Sequence, residues 1–168
     1  MYIRLAKGHD PIVTNDDTPF QIGRAVPMRE GSDALFITTG ITLRTALEAA
    51  ELLKNDGLEA AVLHIPTVKP FDSTTVLDWA SRVPVILTVE EHTCIGGLGS
   101  AVAELVAEAG FNPSKRFKRI GLPDKFPDTY GSQESLMARW QLTPDHLATK
   151  ALEMASSGKD SSLTTRNH

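Results

Sequence analysis

The sequence of 168 residues has little of several features on which other classes of protein depend. Its single cysteine, Cys94, excludes an internal disulfide framework and a cysteine-rich zinc site. The 17 basic residues are outnumbered by 21 acidic ones and form no cluster, which argues against nucleic-acid binding. No apolar run approaches the roughly 20 residues of a membrane span, and residues 1–7 lack the pattern of a signal peptide. We therefore expect a cytoplasmic protein with neither a membrane nor a nucleic-acid partner.

Short apolar runs alternate with segments whose apolar residues recur every three or four positions. The run at 34–38 is typical of a strand buried on both faces, the runs at 60–65 and 84–89 predict two more strands, and residues 117–120 predict a fourth, short strand. The intervening segments predict helices that begin at Thr42, at Asp72 or Ser73, and near Ser100, and two more helices follow at 132–140 and from Thr143. Strand–helix–strand repetition with short links indicates an α/β domain of three layers, with a mainly parallel sheet flanked by helices on both faces.

The predicted core consists of apolar residues from all the central elements: Leu35, Ile37, Leu47, Val62, Leu63, Ile65, Leu77, Val85, Ile86, Leu87, Val102, Leu105 and Ile120. Residues 20–155 form the predicted domain, which opens with an antiparallel edge strand between residues 20 and 29. Residues 1–19 combine an alternating strand with a polar linker, and residues 156–168 are predicted to be a disordered tail because they have almost no apolar side chains.

One segment that follows the third buried strand, residues 90–100, carries the most chemical groups. Its glycines, Gly96, Gly97 and Gly99, precede a helix and could expose backbone N–H groups to an anion, but the dinucleotide fingerprint is incomplete. The alternative is that these glycines only permit a tight turn and close helix packing. Glu90, Glu91 and His92 could perform acid–base chemistry, or they could make polar contacts at a strand end or an interface.

Two other reactive side chains have simple structural interpretations. His64 lies within an apolar strand, which favours a buried or half-buried histidine with a hydrogen-bond partner. Cys94 lies two residues from His92, but such local adjacency does not make a catalytic pair, and a packed thiol is expected. The residues therefore predict no catalytic group and no metal ligand in this chain.

Several motifs together resemble the C-terminal domain of transketolases, including the C-terminal subunit of split transketolases. The string from Val89 to Glu104, VEEHTCIGGLGSAVAE, carries the resemblance, and the segments 19–25, 39–50, 67–72 and 119–126 agree with it in order. The same domain occurs in 1-deoxyxylulose-5-phosphate synthase and, more distantly, in the β-subunit of 2-oxoacid dehydrogenase E1. The resemblance covers about residues 1–154.

This resemblance implies an enzyme that uses thiamine diphosphate and magnesium and has two further domains that hold the cofactor. The chain has neither the Gly-Asp-Gly motif of the magnesium–diphosphate site nor the region of the activating glutamate, so we expect it to bind no cofactor alone. Residues 2–8 resemble the last strand of the preceding pyrimidine-binding domain. Arg4 then matches an arginine that contacts the substrate phosphate, although in the deoxyxylulose relatives the arginine falls at Lys7.

Three functions follow as hypotheses. The leading one is a C-terminal domain or subunit of a transketolase, inactive alone, which supports the dimer and the active site of an enzyme that transfers a two-carbon ketol unit. Its partners would be the remaining transketolase domains or subunit, and the unpaired strand that contains Arg4 favours a homo-oligomer. The alternatives are a non-catalytic module that docks another protein through residues 90–92, and a relic fragment without a role.

Overall fold

A computed structural model of the chain describes residues 2–3, 12–126 and 128–157. The described part contains one five-stranded sheet, with strands β1 (Val26–Arg29), β2 (Ala34–Thr38), β3 (Ala60–His64), β4 (Val85–Thr93) and β5 (Arg116–Leu122). Its helices are α1 (Thr42–Asn55), α2 (Ser73–Ser81), α3 (Leu98–Ala109), α4 (Gln133–Arg139) and α5 (Pro144–Ser156).

The sheet has the order β1-β3-β2-β4-β5, and only β1 runs antiparallel to its neighbour. One face of the sheet packs against α1 and α5 through a core that includes Phe36, Leu87 and Leu147. The other face packs against α2 and α3 through a core that includes Ile37, Ile86 and Val102. The predicted three-layer α/β fold with an antiparallel edge strand is thereby confirmed.

The core differs from the predicted one in its outer layer. Leu47, Leu77 and Leu105 are only partly buried, since each helix turns these residues toward the edge of its apolar face. Trp79 is buried instead and packs beside Val76. Strands β2, β3 and β4 agree with the prediction because each is covered on both faces, whereas β5 lies at the edge of the sheet and exposes Lys118 and Arg119.

Four local boundaries also differ from those predicted. Thr42 is not the N-cap of α1, because Ile41 holds that position and the Thr42 hydroxyl donates to the carbonyl oxygens of Thr39 and Val89, both at 2.8 Å. Helix α3 begins at Leu98, two residues before the predicted start. The edge strand is shorter than the predicted 20–29 segment, and α5 continues through Ser156, into the predicted tail. Residues 158–168 lie outside the described part of the chain.

Strand β4 is longer than expected and includes three residues that the sequence placed in a loop. It continues through Glu90, Glu91 and His92 to Thr93, which pairs with Leu122 of β5. The ladder shifts its register between Val89 and Thr93, so the three residues lie at an irregularity of the kind that often redirects side chains.

Candidate functional site

The carboxyl ends of β2 and β4 form the point of the sheet where an open α/β fold usually binds its ligands. The two strands are neighbours, and the connections that follow them lead to opposite sides, through α1 to β3 and through α3 to β5. The segment that follows β2, residues 39–42, therefore faces the end of β4.

The Glu90 carboxylate fills one side of this crevice. Its side chain is only 1% exposed, and its two oxygens accept hydrogen bonds from the backbone N–H groups of Leu98 and Gly99, both at 2.8 Å. These N–H groups belong to the first turn of α3, where no carbonyl group of the helix is available to accept a hydrogen bond from them. Glu90 therefore acts as an internal anion at the N-terminus of α3, where the helix dipole also favours a negative charge.

Two of the predicted glycines are required by close packing at the start of α3, and one of them packs against this carboxylate. A Cβ atom on Gly97 would lie 2.9 Å from the Glu90 carboxyl carbon and closer still to one of its oxygens. A Cβ atom on Gly99 would lie 2.7 Å from the Thr88 hydroxyl oxygen and 2.9 Å from the Arg119 side chain. The third glycine, Gly96, has open space around it, but its φ of +74° favours glycine for conformational reasons.

The turn that joins β4 to α3 is held by a group that sequence reasoning missed. Arg119, on β5, donates to the carbonyl oxygen of Cys94 at 2.7 Å and to the Ser100 hydroxyl at 3.1 Å. The same hydroxyl accepts the N–H of Gly96 at 3.0 Å. No spacing in the sequence links Arg119 to this turn, because the two are 25 residues apart and meet only through the pairing of β4 with β5.

The Glu91 carboxylate lies near Gly40, before α1, whereas the Glu90 carboxylate lies at the N-terminus of α3, on the other side of the sheet. A Cβ atom on Gly40, at the start of the segment before α1, would lie 3.4 Å from a Glu91 carboxylate oxygen. Glu91 and His92 are both partly exposed, and each has an interaction with its surroundings. The two carboxylates therefore do not form a catalytic pair in this arrangement.

Threonine side chains close the rest of the crevice. The Thr42 hydroxyl donates to the carbonyl oxygen of Val89 in β4, and the Thr39 hydroxyl donates to the carbonyl oxygen of Ile65 at 2.9 Å, immediately after β3. Both threonines are buried. The ligand position of the fold is thus occupied by the chain's own polar groups.

The geometry does not fit the cofactor that the sequence resemblance implies. A diphosphate at the N-terminus of α3 would compete with the buried Glu90 carboxylate for the same two N–H groups and would be repelled by its charge. Among the described residues, no group of three histidine, cysteine or acidic side chains is placed to hold a metal ion. No helix in the described part of the chain is long and apolar enough to cross a membrane.

His64 and Cys94 both have shifted acid–base properties because they are shielded from water. Burial lowers the pKa of His64 to about 4, and its Nδ1 lies 3.1 Å from the Thr38 hydroxyl. With Phe20 and Pro66, His64 also lines a small cavity of about 150 Å³. Burial raises the pKa of the Cys94 thiol, and the charge of Glu90 adds to this effect, while Arg119 and Lys118 oppose it.

The two candidate phosphate ligands, Arg4 and Lys7, lie outside the described residues. Their role stays a prediction. The interface role predicted for Glu90, Glu91, His92 and the three glycines is also a prediction still, although Glu90 itself contacts α3 rather than the surface.

Comparison with known proteins connects this fold to one family. Residues 23–147 match the family model described as "Transketolase, C-terminal domain". The chain is 42% identical over 128 residues to the transketolase family protein y4mN of Sinorhizobium fredii, covering 75% of this chain and 37% of that protein. It is 36% identical over 159 residues to the 1-deoxy-D-xylulose-5-phosphate synthase of Heliobacterium modesticaldum, covering 94% of this chain and 24% of that protein.

A solved structure agrees with the sequence comparisons. The structure described as "Split gene transketolase, inactive beta4 tetramer" superposes with a TM-score of 0.79 at 31% identity, covering 87% of this chain and 46% of that one. The chain thus spans between about a quarter and a half of the length of these relatives. From the match over 125 consecutive positions and the shared fold, this chain belongs to the transketolase C-terminal domain family.

Proposed function

We propose that this chain is the C-terminal domain or subunit of a thiamine-diphosphate-dependent enzyme of the transketolase type, which transfers a two-carbon ketol unit between sugar phosphates. The family match supports the assignment. The observation that carries the non-catalytic part of the proposal is the burial of Glu90 at the N-terminus of α3, since it fills the anion position of the fold with a fixed negative charge.

In this proposal the chain provides a rigid wall beside the active site, and other domains hold the cofactor. The hydrogen bonds of Glu90 and Arg119 fix the turn between β4 and α3, so its outer surface is presented in one conformation. A rigid surface lowers the entropy cost of association with the catalytic domains. The lone Cys94 is compatible with the reducing cytoplasm, where we propose that the enzyme works.

Calorimetry tests the non-catalytic part of the proposal. The purified chain is titrated with thiamine diphosphate in the presence of magnesium, and we expect no saturable heat up to millimolar cofactor. The chain alone should also show no ketol transfer from a ketose phosphate to an aldose phosphate. Saturable binding in the micromolar range, or turnover by the chain alone, would contradict the proposal.

We further propose that the chain assembles with the remaining transketolase domains and that it self-associates. The similar split transketolase is described as an inactive β4 tetramer, so a subunit with this domain can associate without activity in that protein. Light scattering across a range of concentrations should give a mass above the 18.2 kDa of the monomer. A monomer at all concentrations would contradict self-association but not assembly with the other domains.

A further inference from the structure

Of the ten large apolar side chains that are exposed among the described residues, six lie at one end of the domain; the other four are Leu52 on α1 and Tyr2, Ile3 and Ile12 near the N-terminus. The six at one end define an apolar end surface: Phe20, Ile22, Val68, Ile95, Phe126 and Tyr130. Single exposed apolar residues are ordinary on a protein surface, but their concentration on one side indicates a contact surface.

Topology places these six residues at the carboxyl ends of the parallel strands. Val68 follows β3, Ile95 follows β4, and Phe126 and Tyr130 follow β5. Phe20 and Ile22 precede β1, which begins at this same end because it runs antiparallel to β3.

Two contacts tie these segments together. The N–H of Gly23 donates to the Thr67 hydroxyl at 2.7 Å, which joins the segment before β1 to the one after β3. The N–H of Cys94 donates to the carbonyl oxygen of Leu122 at 3.0 Å, which joins the segment after β4 to the last residue of β5.

The opposite end of the sheet has a different character. Its loops, at 30–33, 56–59, 82–84 and 110–115, are all described and expose no large apolar side chain. Leu58 and Val83 are buried there, and Phe111 lies beneath the Lys115 ammonium group at 4.9 Å from the ring centroid. The apolar exposure is therefore a property of one end and not of the loops in general.

We infer that the apolar end surface binds the domain that precedes this one in its longer transketolase-type relatives. The inference rests on the proposed function and names the surface through which the assembly forms. The family model is described as a C-terminal domain. The rest of each relative, about half of its length or more, therefore precedes this domain in the sequence. This position in the relatives indicates that the preceding domain is the partner that binds the apolar end surface.

The path of the chain brings that domain to the same end. Residues 20–25 are fixed there by the contact of Gly23 with Thr67 and by the bond from the Ala25 N–H to an Asp72 carboxylate oxygen at 2.9 Å. A domain that is joined to residues 20–25, or that docks at the same place as a separate chain, would contact Phe20 and Ile22 first. The loops after β3, β4 and β5 lie beyond these two residues.

The surface is large enough for a stable contact. Its three aromatic side chains, Phe20, Phe126 and Tyr130, can bury roughly 150–250 Å² each, and about 450–750 Å² together. A standard interface buries about 800 Å² on each partner. The aromatic residues alone would thus supply more than half of that area.

Site-specific photo-crosslinking tests the inference. Benzoylphenylalanine replaces Ile95 or Phe126 in the purified chain, which is then irradiated in an extract of the source cells. The control position is Leu52, an exposed large aliphatic residue that lies near the end of α1, outside the apolar end surface, and is 37% exposed. We expect positions 95 and 126, but not 52, to form adducts whose peptides belong to a transketolase-type domain preceding the C-terminal one.

The other outcomes separate the inference from the proposed function. Adducts with a transketolase-type partner from position 52 alone would leave the proposed function standing and would overturn the surface. Adducts with only a second copy of this chain, or with only an unrelated protein, would overturn the preceding domain as occupant. No transketolase-type adduct from any position would count against both.

Charge substitution supplies a second measurement. The double substitution Ile95→Asp and Phe126→Asp should reduce recovery of the identified partner at least tenfold, whereas Leu52→Asp should change it less than twofold. All three side chains are exposed, so the thermal midpoints should stay close to that of the unmodified chain. Unchanged recovery with the double variant at an unchanged midpoint would refute the inference.

Discussion

Replacement of Gly97 by alanine tests the packing of the internal anion most directly. The backbone of Gly97 is extended, with φ −95°, so its conformation alone would accept alanine. The added Cβ would, however, lie 2.9 Å from the Glu90 carboxyl carbon, and Glu90 is buried and bound to two N–H groups. The carboxylate must move, and its two hydrogen bonds are lost or strained.

The expected cost follows from those two bonds. Hydrogen bonds to a charged group contribute about 1.5–3 kcal/mol each, so Gly97→Ala should lower the free energy of unfolding by about 3–6 kcal/mol. Gly96→Ala is the matched control in the same turn, because Gly96 has open space but φ +74°. Its expected cost is about 1–2 kcal/mol, for a left-handed alanine. An argument from backbone angles alone would predict the opposite, a larger cost for Gly96→Ala than for Gly97→Ala.

Urea unfolding followed by tryptophan fluorescence measures the difference, since Trp79 is buried in the folded chain. If Gly97→Ala folds poorly, the double variant with Glu90→Ala provides the decisive measurement. Removal of the carboxylate makes room for the Cβ, so Gly97→Ala should then cost less than about 1 kcal/mol, an energetic coupling of at least about 2 kcal/mol. Equal costs for the two glycine substitutions, or additive costs in the double variant, would refute the reasoning.

Three further predictions concern the side chains of His64, Asp72 and Cys94. The pKa of His64 is lowered to about 4 in the folded state. As the pH falls from 6.5 to 4, the unfolded state therefore takes up a proton at His64 that the folded state does not bind. The free energy of unfolding should therefore fall by roughly 3 kcal/mol over that range, and urea titrations of His64→Gln should lack this part of the loss; an identical loss would contradict the assignment. Asp72 caps α2 through the Thr75 N–H and also accepts the Ala25 N–H, so Asp72→Ala should cost about 1–3 kcal/mol and speed proteolysis of the segment before β1; unchanged cleavage would show that this anchor is unimportant. The raised pKa of the Cys94 thiol predicts that it reacts with a disulfide reagent at pH 8 at least about threefold more slowly than a free thiol, and faster after Glu90→Gln; no change with Glu90→Gln would exclude the charge as a cause.

The layered fold could be predicted from the sequence because its signals are local and repeated. Each buried strand is a short apolar run, and each main helix has an apolar face with a recognisable start or stop, such as Pro144 at the start of α5 and Gly110 at the end of α3. The family motifs are also contiguous in the sequence, so the resemblance can be recognised from the sequence alone.

The arrangement of the candidate site depended on contacts that no local pattern specifies. The sequence indicated polar residues at 90–92 and flexible glycines at 96–99, but it left their roles open between chemistry and packing. The chain must reverse between β4 and α3 before Glu90 can meet the N–H groups of Leu98 and Gly99, and Arg119 reaches the turn only through strand pairing.

The sequence by itself therefore determined the layers, most of the core and the family, since the periodic apolar residues and the contiguous motifs can be recognised along the chain. The tertiary structure alone decided that the anion position of the fold holds the chain's own carboxylate and that six of the exposed large apolar residues share one end. Both features arise from residues far apart in sequence, which become neighbours only when the strands align and the helices dock on the sheet.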